Sequence, residues 1–280
     1  MNTLAVKFLR NIESTSRKLA NTLSQKKVVF LHIPKCGGTS ISSAIASAIH
    51  TGWEGYVDPI RTRKLAQLIL GDQEQAEGSS LLFHIRQAIF FEFIQEEKPF
   101  IFGHFPVIYD CLINPKDYVF VTVLRYPCER FISQFKYSVG TKYNSLKQPL
   151  NTDEINLIWN NYIESKLAAF HANILSAYLD ERGSYDLGSQ ESLARAMRNL
   201  EYFEVVGFLE KLDDFSENIY QAIGKKITIE VKNKSEYKLS SYQQKEIFLN
   251  FFDEQKLLQI NELCRQDLKL YEFAQSQNKI

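Results

Sequence analysis

Neither sign of charge is in excess: 33 lysines and arginines face 33 aspartates and glutamates across 280 residues. A chain with no net field has no general attraction for nucleic acid or for an anionic lipid surface, so any positive potential must be local. Cysteine is scarce. Cys36, Cys111, Cys128 and Cys264 form no C-x-x-C pair and lie near no histidine cluster, which argues against a zinc site and a disulfide framework and fits a reducing, cytoplasmic setting. Apolar runs stay short of the roughly 18 residues that cross a bilayer, and no signal-peptide core is present, so no membrane span is expected. Two phosphate-binding signatures are missing as well. No G-x-G-x-x-G marks a dinucleotide site, and no G-x-x-x-x-G-K-[ST] marks a nucleotide-kinase loop.

What remains is ample for a packed core, because 45% of the residues are hydrophobic. The length and pattern suit a single domain, with residues 1–27 as a basic N-terminal helix or extension and 28–280 as the core. That extension carries Lys7, Arg10, Arg17, Lys18, Lys26 and Lys27 against only Glu13. Its apolar residues fall at partial helical spacing, which reads as a helix docked on the domain, with a membrane-surface helix as the alternative. Short apolar runs at 28–33, 99–103, 118–124 and 204–209 read as strands, and helical stretches separate them. Strand followed by helix, repeated, gives an α/β fold with a central parallel sheet flanked by helices. Residues 139–157 are polar and poorly patterned and read as a loop. The run from Ile227 to Val231 is strand-like, and from 239 onward the chain reads as one or two amphipathic helices.

The densest chemistry lies where the first strand ends. Val28 to Ile33 is apolar and partly β-branched, Pro34 closes it, and Lys35, Cys36, Gly37, Gly38, Thr39 and Ser40 follow before helical spacing begins at Ile41. Glycines let main-chain N–H groups approach a ligand, a helix N-terminus favours an anion, and Lys35 adds a full charge. Thr39 and Ser40 stand at the helix start as caps or as ligands. The loop is therefore an anion cradle. It is not a phosphatase loop, since position 42, six residues after Cys36, is Ser42 where an arginine would be required.

The run His32-Ile33-Pro34-Lys35-Cys36-Gly37-Gly38-Thr39-Ser40 resembles the 5′-phosphosulfate loop of the sulfotransferase family that includes the heparan sulfate 2-O-sulfotransferases and their bacterial relatives. Residues 118–133, with Arg125 and Ser133, resemble that family's strand, arginine and helix for the 3′-phosphate. Weaker echoes run through Phe102–Pro106, Glu204–Glu210 and Asp267–Tyr271. The resemblance implies a P-loop-like, nucleotide-binding sulfotransferase fold. It also implies 3′-phosphoadenosine 5′-phosphosulfate (PAPS) as donor and adenosine 3′,5′-bisphosphate (PAP) as product. Lys35, Cys36, Gly37, Gly38, Thr39, Ser40, Arg125 and Ser133 then hold the nucleotide, Cys36 as a passive small side chain. Tyr126 stands where the family often has Asp or Asn, and no role is carried over to it.

Transfer to a hydroxyl needs a base, and histidine titrates near neutrality. His104, in a Gly-His-Phe-Pro turn at the end of the second strand, is the expected base, and His32 is its rival. Lys35 is expected to stabilise the charge growing on the leaving phosphate oxygen. Arg130 is either a further phosphate ligand or a salt-bridge partner, and Lys234 and Ser235 are weak candidates for a covering loop. No acidic cluster suits magnesium, so no metal is expected. The expected partner is a hydroxyl-bearing acceptor, a glycan, lipid-linked sugar or small alcohol; oligomeric state has no signal in the sequence. Two alternatives stand beside this expectation: a nucleotide kinase or NTPase with an atypical loop, and a non-catalytic anion- or glycan-binding module.

Overall fold

The computed structural model describes residues 26–71, 77–143, 150–183, 186–230, 248 and 250–277. Five strands form one parallel sheet: β1 (Lys27–Leu31), β2 (Tyr56–Val57), β3 (Phe100–Gly103), β4 (Tyr118–Leu124) and β5 (Val205–Phe208), in the order β2-β3-β1-β4-β5. Period-2 alternation explains how an all-apolar strand serves two cores. Val29, Leu31, Ile101 and Phe120 face one cluster, while Val28, Phe30, Phe100, Phe102, Val119, Val121 and Val123 face another.

Helices cover both faces. On the second face lie α1 (Gly38–Ala48), through Ile41, Ala44 and Ile45, and a later helix through Phe215 and Ile219. After β2 come α2 (Pro59–Leu70), α3 (Ser80–Gln95) and, past β3, α4 (Tyr109–Ile113); α3 packs Phe83, Phe90 and Ile94 on the first face. Between β4 and β5 run α5 (Pro127–Tyr143), α6 (Thr152–Ile163), α7 (Lys166–Ala172), α8 (Ile174–Leu179) and α9 (Gln190–Leu200). The chain ends in α10 (Leu212–Ile223), α11 (Glu254–Leu263) and α12 (Arg265–Gln277). A third cluster joins Phe131 and Phe135 of α5 to Trp159 of α6 and Ile260 of α11.

Several expectations need correction. The stretch 139–157 is not one loop: the apolar stripe Phe131, Phe135, Val139 carries α5 on to Tyr143, and α6 starts at Thr152. Asn151 accepts from the Glu154 N–H while Glu154 accepts from the Asn151 N–H, a capping box that opens this helix in a polar stretch. The first strand stops at Leu31, two residues short of its expected end, because the chain turns toward the loop. Residues 225–230 form no strand. Residues 1–25 and the proposed covering loop with Lys234 and Ser235 lie outside the described residues.

The chain reverses direction across the sheet at β1, which lies between β3 and β4. In such sheets the crevice beyond the carboxyl ends at the reversal point is where ligands bind.

Candidate active site

The loop after β1 is built by close packing. The Cys36 N–H donates to the Ile33 carbonyl at 3.3 Å, and Lys35 takes a positive φ of 69°, an uncommon and strained conformation for a side chain of that size. Gly38 is forced: a Cβ there would lie 1.9 Å from Cδ2 of His32, so the imidazole rests directly on its Cα. Gly37 is the N-cap of α1 and offers no side chain to cap the first turn. Thr39 and Ser40 therefore stand inside that turn and are not caps. A first turn with a glycine N-cap is a place where main-chain donors meet an anion. Cys36 is buried, and that burial pushes its thiol up to about 12 despite the opposing Arg130 and Arg125 charges, so it is no nucleophile.

Around the loop stand three cations. The Lys35 ammonium sits 4.1 Å from the centre of the Tyr137 ring. Burial brings its pKa from 10.5 to about 8; Tyr137 opposes this, and Arg125 and Arg130 add to it. Arg125 donates to the Lys35 carbonyl at 3.5 Å and pairs with Glu129 at the same distance. Arg130 is fully buried and forms no ion pair among the described residues, so the salt-bridge expectation is not met. It donates to the His171 carbonyl through Nη2, and among the described residues its Nε and Nη1 have no hydrogen-bond partner. Ser133, two turns along α5, is buried. Among the described residues the carboxylates near these cations are Glu129, paired with Arg125, Glu210, whose charge reaches Cys36, and the buried Asp267, whose charge reaches Arg130; the mutual repulsion of Lys35 with Arg125 and Arg130 favours a bound anion.

The histidines meet on the other side of the loop. The register pairs Leu31 with Gly103, and the His32 N–H donates to the Gly103 carbonyl at 3.0 Å, which sets His104 beside His32. Gly103 has φ 134°, and a Cβ there would fall 2.5 Å from the Val57 carbonyl oxygen, so the turn that presents His104 requires glycine. The two rings lie 4.3 Å apart. His104 Nδ1 lies 2.5 Å from the His32 carbonyl, which can only accept, so Nδ1 carries the proton and Nε2 keeps its lone pair. Desolvation first, then His32 and Arg86, hold His104 well below its ordinary value. Desolvation and the Lys35 charge bring His32 to about 4. Both are neutral at physiological pH. His32, stacked 5.9 Å from Phe30 and pressed on Gly38, is packed; His104 holds the free lone pair.

The three strand ends thus bring Lys35, His104 and Arg125 to one rim, as their positions in the sequence predict. Residues that the sequence did not reveal complete the surroundings. Tyr137 and Lys136 come from α5. Tyr178 stacks edge-on to His104 at 6.4 Å, and the buried Arg86 donates to its hydroxyl at 2.8 Å. The sequence echoes act as clamps. Glu204 accepts from the Phe120 N–H, Glu210 accepts from the Tyr126 N–H and the Tyr271 hydroxyl, and Asp267 accepts from Leu175 N–H, Ser176 N–H and Ser176 Oγ. No family model matches the chain, and no curated protein matches it.

Proposed function

We propose that the chain is a sulfotransferase that moves a sulfuryl group from PAPS to the hydroxyl of an acceptor and releases PAP. The observation that carries this reading is the convergence of a helix start with a glycine N-cap, the repelling cations Lys35, Arg125 and Arg130, and a neutral histidine whose Nε2 keeps its lone pair, all beyond the carboxyl ends of neighbouring parallel strands. The cation group suits a ligand with more than one anionic centre, and the imidazole suits removal of a proton beside it. The P-loop-like sulfotransferase fold belongs to the same proposal.

In this reading the acceptor oxygen bonds to sulfur as the bond from sulfur to the 5′-phosphate oxygen breaks, through a loose in-line transition state analogous to phosphoryl transfer. The acceptor proton goes to His104 Nε2. Lys35 meets the charge that appears on the leaving phosphate oxygen, an interaction stronger in the transition state than before it. Arg125 and Ser133 hold the 3′-phosphate.

The test is transfer of labelled sulfate from PAPS to a panel of sugar and alcohol acceptors, with products identified by mass spectrometry. His104→Ala is expected to lower kcat by ~10²- to 10⁴-fold while PAP still binds. Near-normal turnover in that variant removes His104 from the mechanism, and no transfer to any hydroxyl by the unaltered chain removes the reaction.

A further inference from the structure

Arg86 lies deep in the protein, 2% exposed, and among the described residues no carboxylate pairs with it. Buried arginine is costly without a counter-charge, so its surroundings need an explanation. Its Nε donates to Thr62 Oγ1 at 3.2 Å, and its Nη1 donates to the Tyr178 hydroxyl at 2.8 Å; both are neutral acceptors. Thr62 is in turn fixed at the start of α2 by donating to the Asp58 carbonyl at 2.9 Å. Tyr178, 1% exposed, is wedged between the Phe83 ring at 5.2 Å and the His104 ring at 6.4 Å. Its own carbonyl accepts from Val107, three residues after His104, at 3.0 Å. Asp267 anchors the first turn of the same short helix through Leu175 and Ser176.

We propose that Arg86, acting through the Tyr178 hydroxyl, is the positioning residue of His104: it fixes the ring against which the imidazole packs. The role of His104 as base is taken from the proposed function. A carboxylate beside Arg86 would offset the buried charge and favour a proton on the histidine. An arginine held by two hydroxyls does the opposite. Among the described residues, the charged and titratable groups facing His104 are His32 from the end of β1, Arg63 from α2, Arg86 from α3 and Tyr178 from α8. Arg63 is paired with Glu77 at 2.7 Å, so among the described residues Arg86 is the cation whose charge reaches the imidazole without a carboxylate partner.

The experiment is a histidine-ring NMR titration of the full chain with Arg86→Met, Arg86→Lys and Tyr178→Phe, alongside kcat and the donor KM across pH. Arg86→Met is expected to move the His104 titration to higher pH, and the acid limb of kcat with it, while donor KM stays within about 2-fold. Arg86→Lys keeps the charge and is expected to keep the low titration. Tyr178→Phe keeps the ring but frees the guanidinium, and is expected to lower kcat ~10- to 100-fold by misplacing the base. An unmoved His104 titration in Arg86→Met overturns the proposal, as does a loss expressed in donor KM and not in kcat. Should Arg86→Met fail to fold, unchanged kcat in Tyr178→Phe overturns it alone. The NMR arm needs no turnover, so absence of sulfate transfer would defeat the proposed reaction and leave the Arg86 result standing on its own.

Discussion

Lys35 binds its proton less tightly than an ordinary lysine because it is buried beside Arg125 and Arg130, and that gives a direct handle on the anion site. With its pKa at about 8, half the free protein lacks this proton at pH 8. An anion seated among these cations adds negative charge beside the ammonium and returns it toward its usual range. A full return from about 8 to 10.5 amounts to about 3.4 kcal/mol of linkage, or ~300-fold in affinity between pH 7 and strongly alkaline pH. The sign follows from the direction of the shift: the bound state holds more protons than the free state, so binding takes up protons and weakens as pH rises. Uptake per site should be about 0.5 proton at pH 8 and about 0.9 at pH 9. Calorimetry of PAP binding at pH 8 in two buffers of different ionisation enthalpy measures it. Lys35→Arg keeps a charge that does not titrate in this range and should abolish the uptake. Equal heats in both buffers for the unaltered chain, or proton release, would refute the argument.

Other consequences are independent of turnover. Gly38→Ala places a methyl group in the His32 ring and should cost ~1 to 3 kcal/mol in urea unfolding, with the ring signals of His32 and His104 both displaced; an unperturbed spectrum contradicts the close packing. His32 and His171 are held neutral in the folded chain, chiefly by desolvation, with values near 4 and 3. Their folded values lie below the unfolded 6.5, so the unfolded chain binds more protons as pH falls through 6.5 toward 4 and stability drops. Each histidine contributes a slope of up to about 1.4 kcal/mol per pH unit in the middle of that window, and urea midpoints that do not move between pH 7 and pH 5 would contradict it.

The sheet was legible because its strands are apolar runs bounded by turn residues, and the site was legible because each chemical residue follows a strand end. Lys35, His104 and Arg125 are four, one and one residues beyond β1, β3 and β4, and parallel pairing sends all three to the same rim. What stayed hidden had two causes. Tyr56–Val57 is too short to show a period, and its place at the sheet edge depends on pairing with Phe102 and Gly103. The support for His104 is assembled across long separations: Arg86 reaches Tyr178, 92 residues away in sequence, and nothing in either neighbourhood marks the contact. The start of α6 is a different case. Asn151 and Glu154 spell a capping signal in the sequence, and the surrounding polar residues outweighed it.

The central claim is that the Lys35 loop and the Arg125 segment together grip a nucleotide phosphorylated at both 3′ and 5′ positions. Its most direct test is titration of the chain with PAP, adenosine 5′-monophosphate and magnesium ATP, repeated with Arg125→Ala. The account predicts that PAP binds tightest and that the variant loses about 1.5 to 3 kcal/mol for PAP with little change for the monophosphate. A variant that still prefers PAP over the monophosphate as strongly as the unaltered chain, or a chain that prefers magnesium ATP, contradicts it.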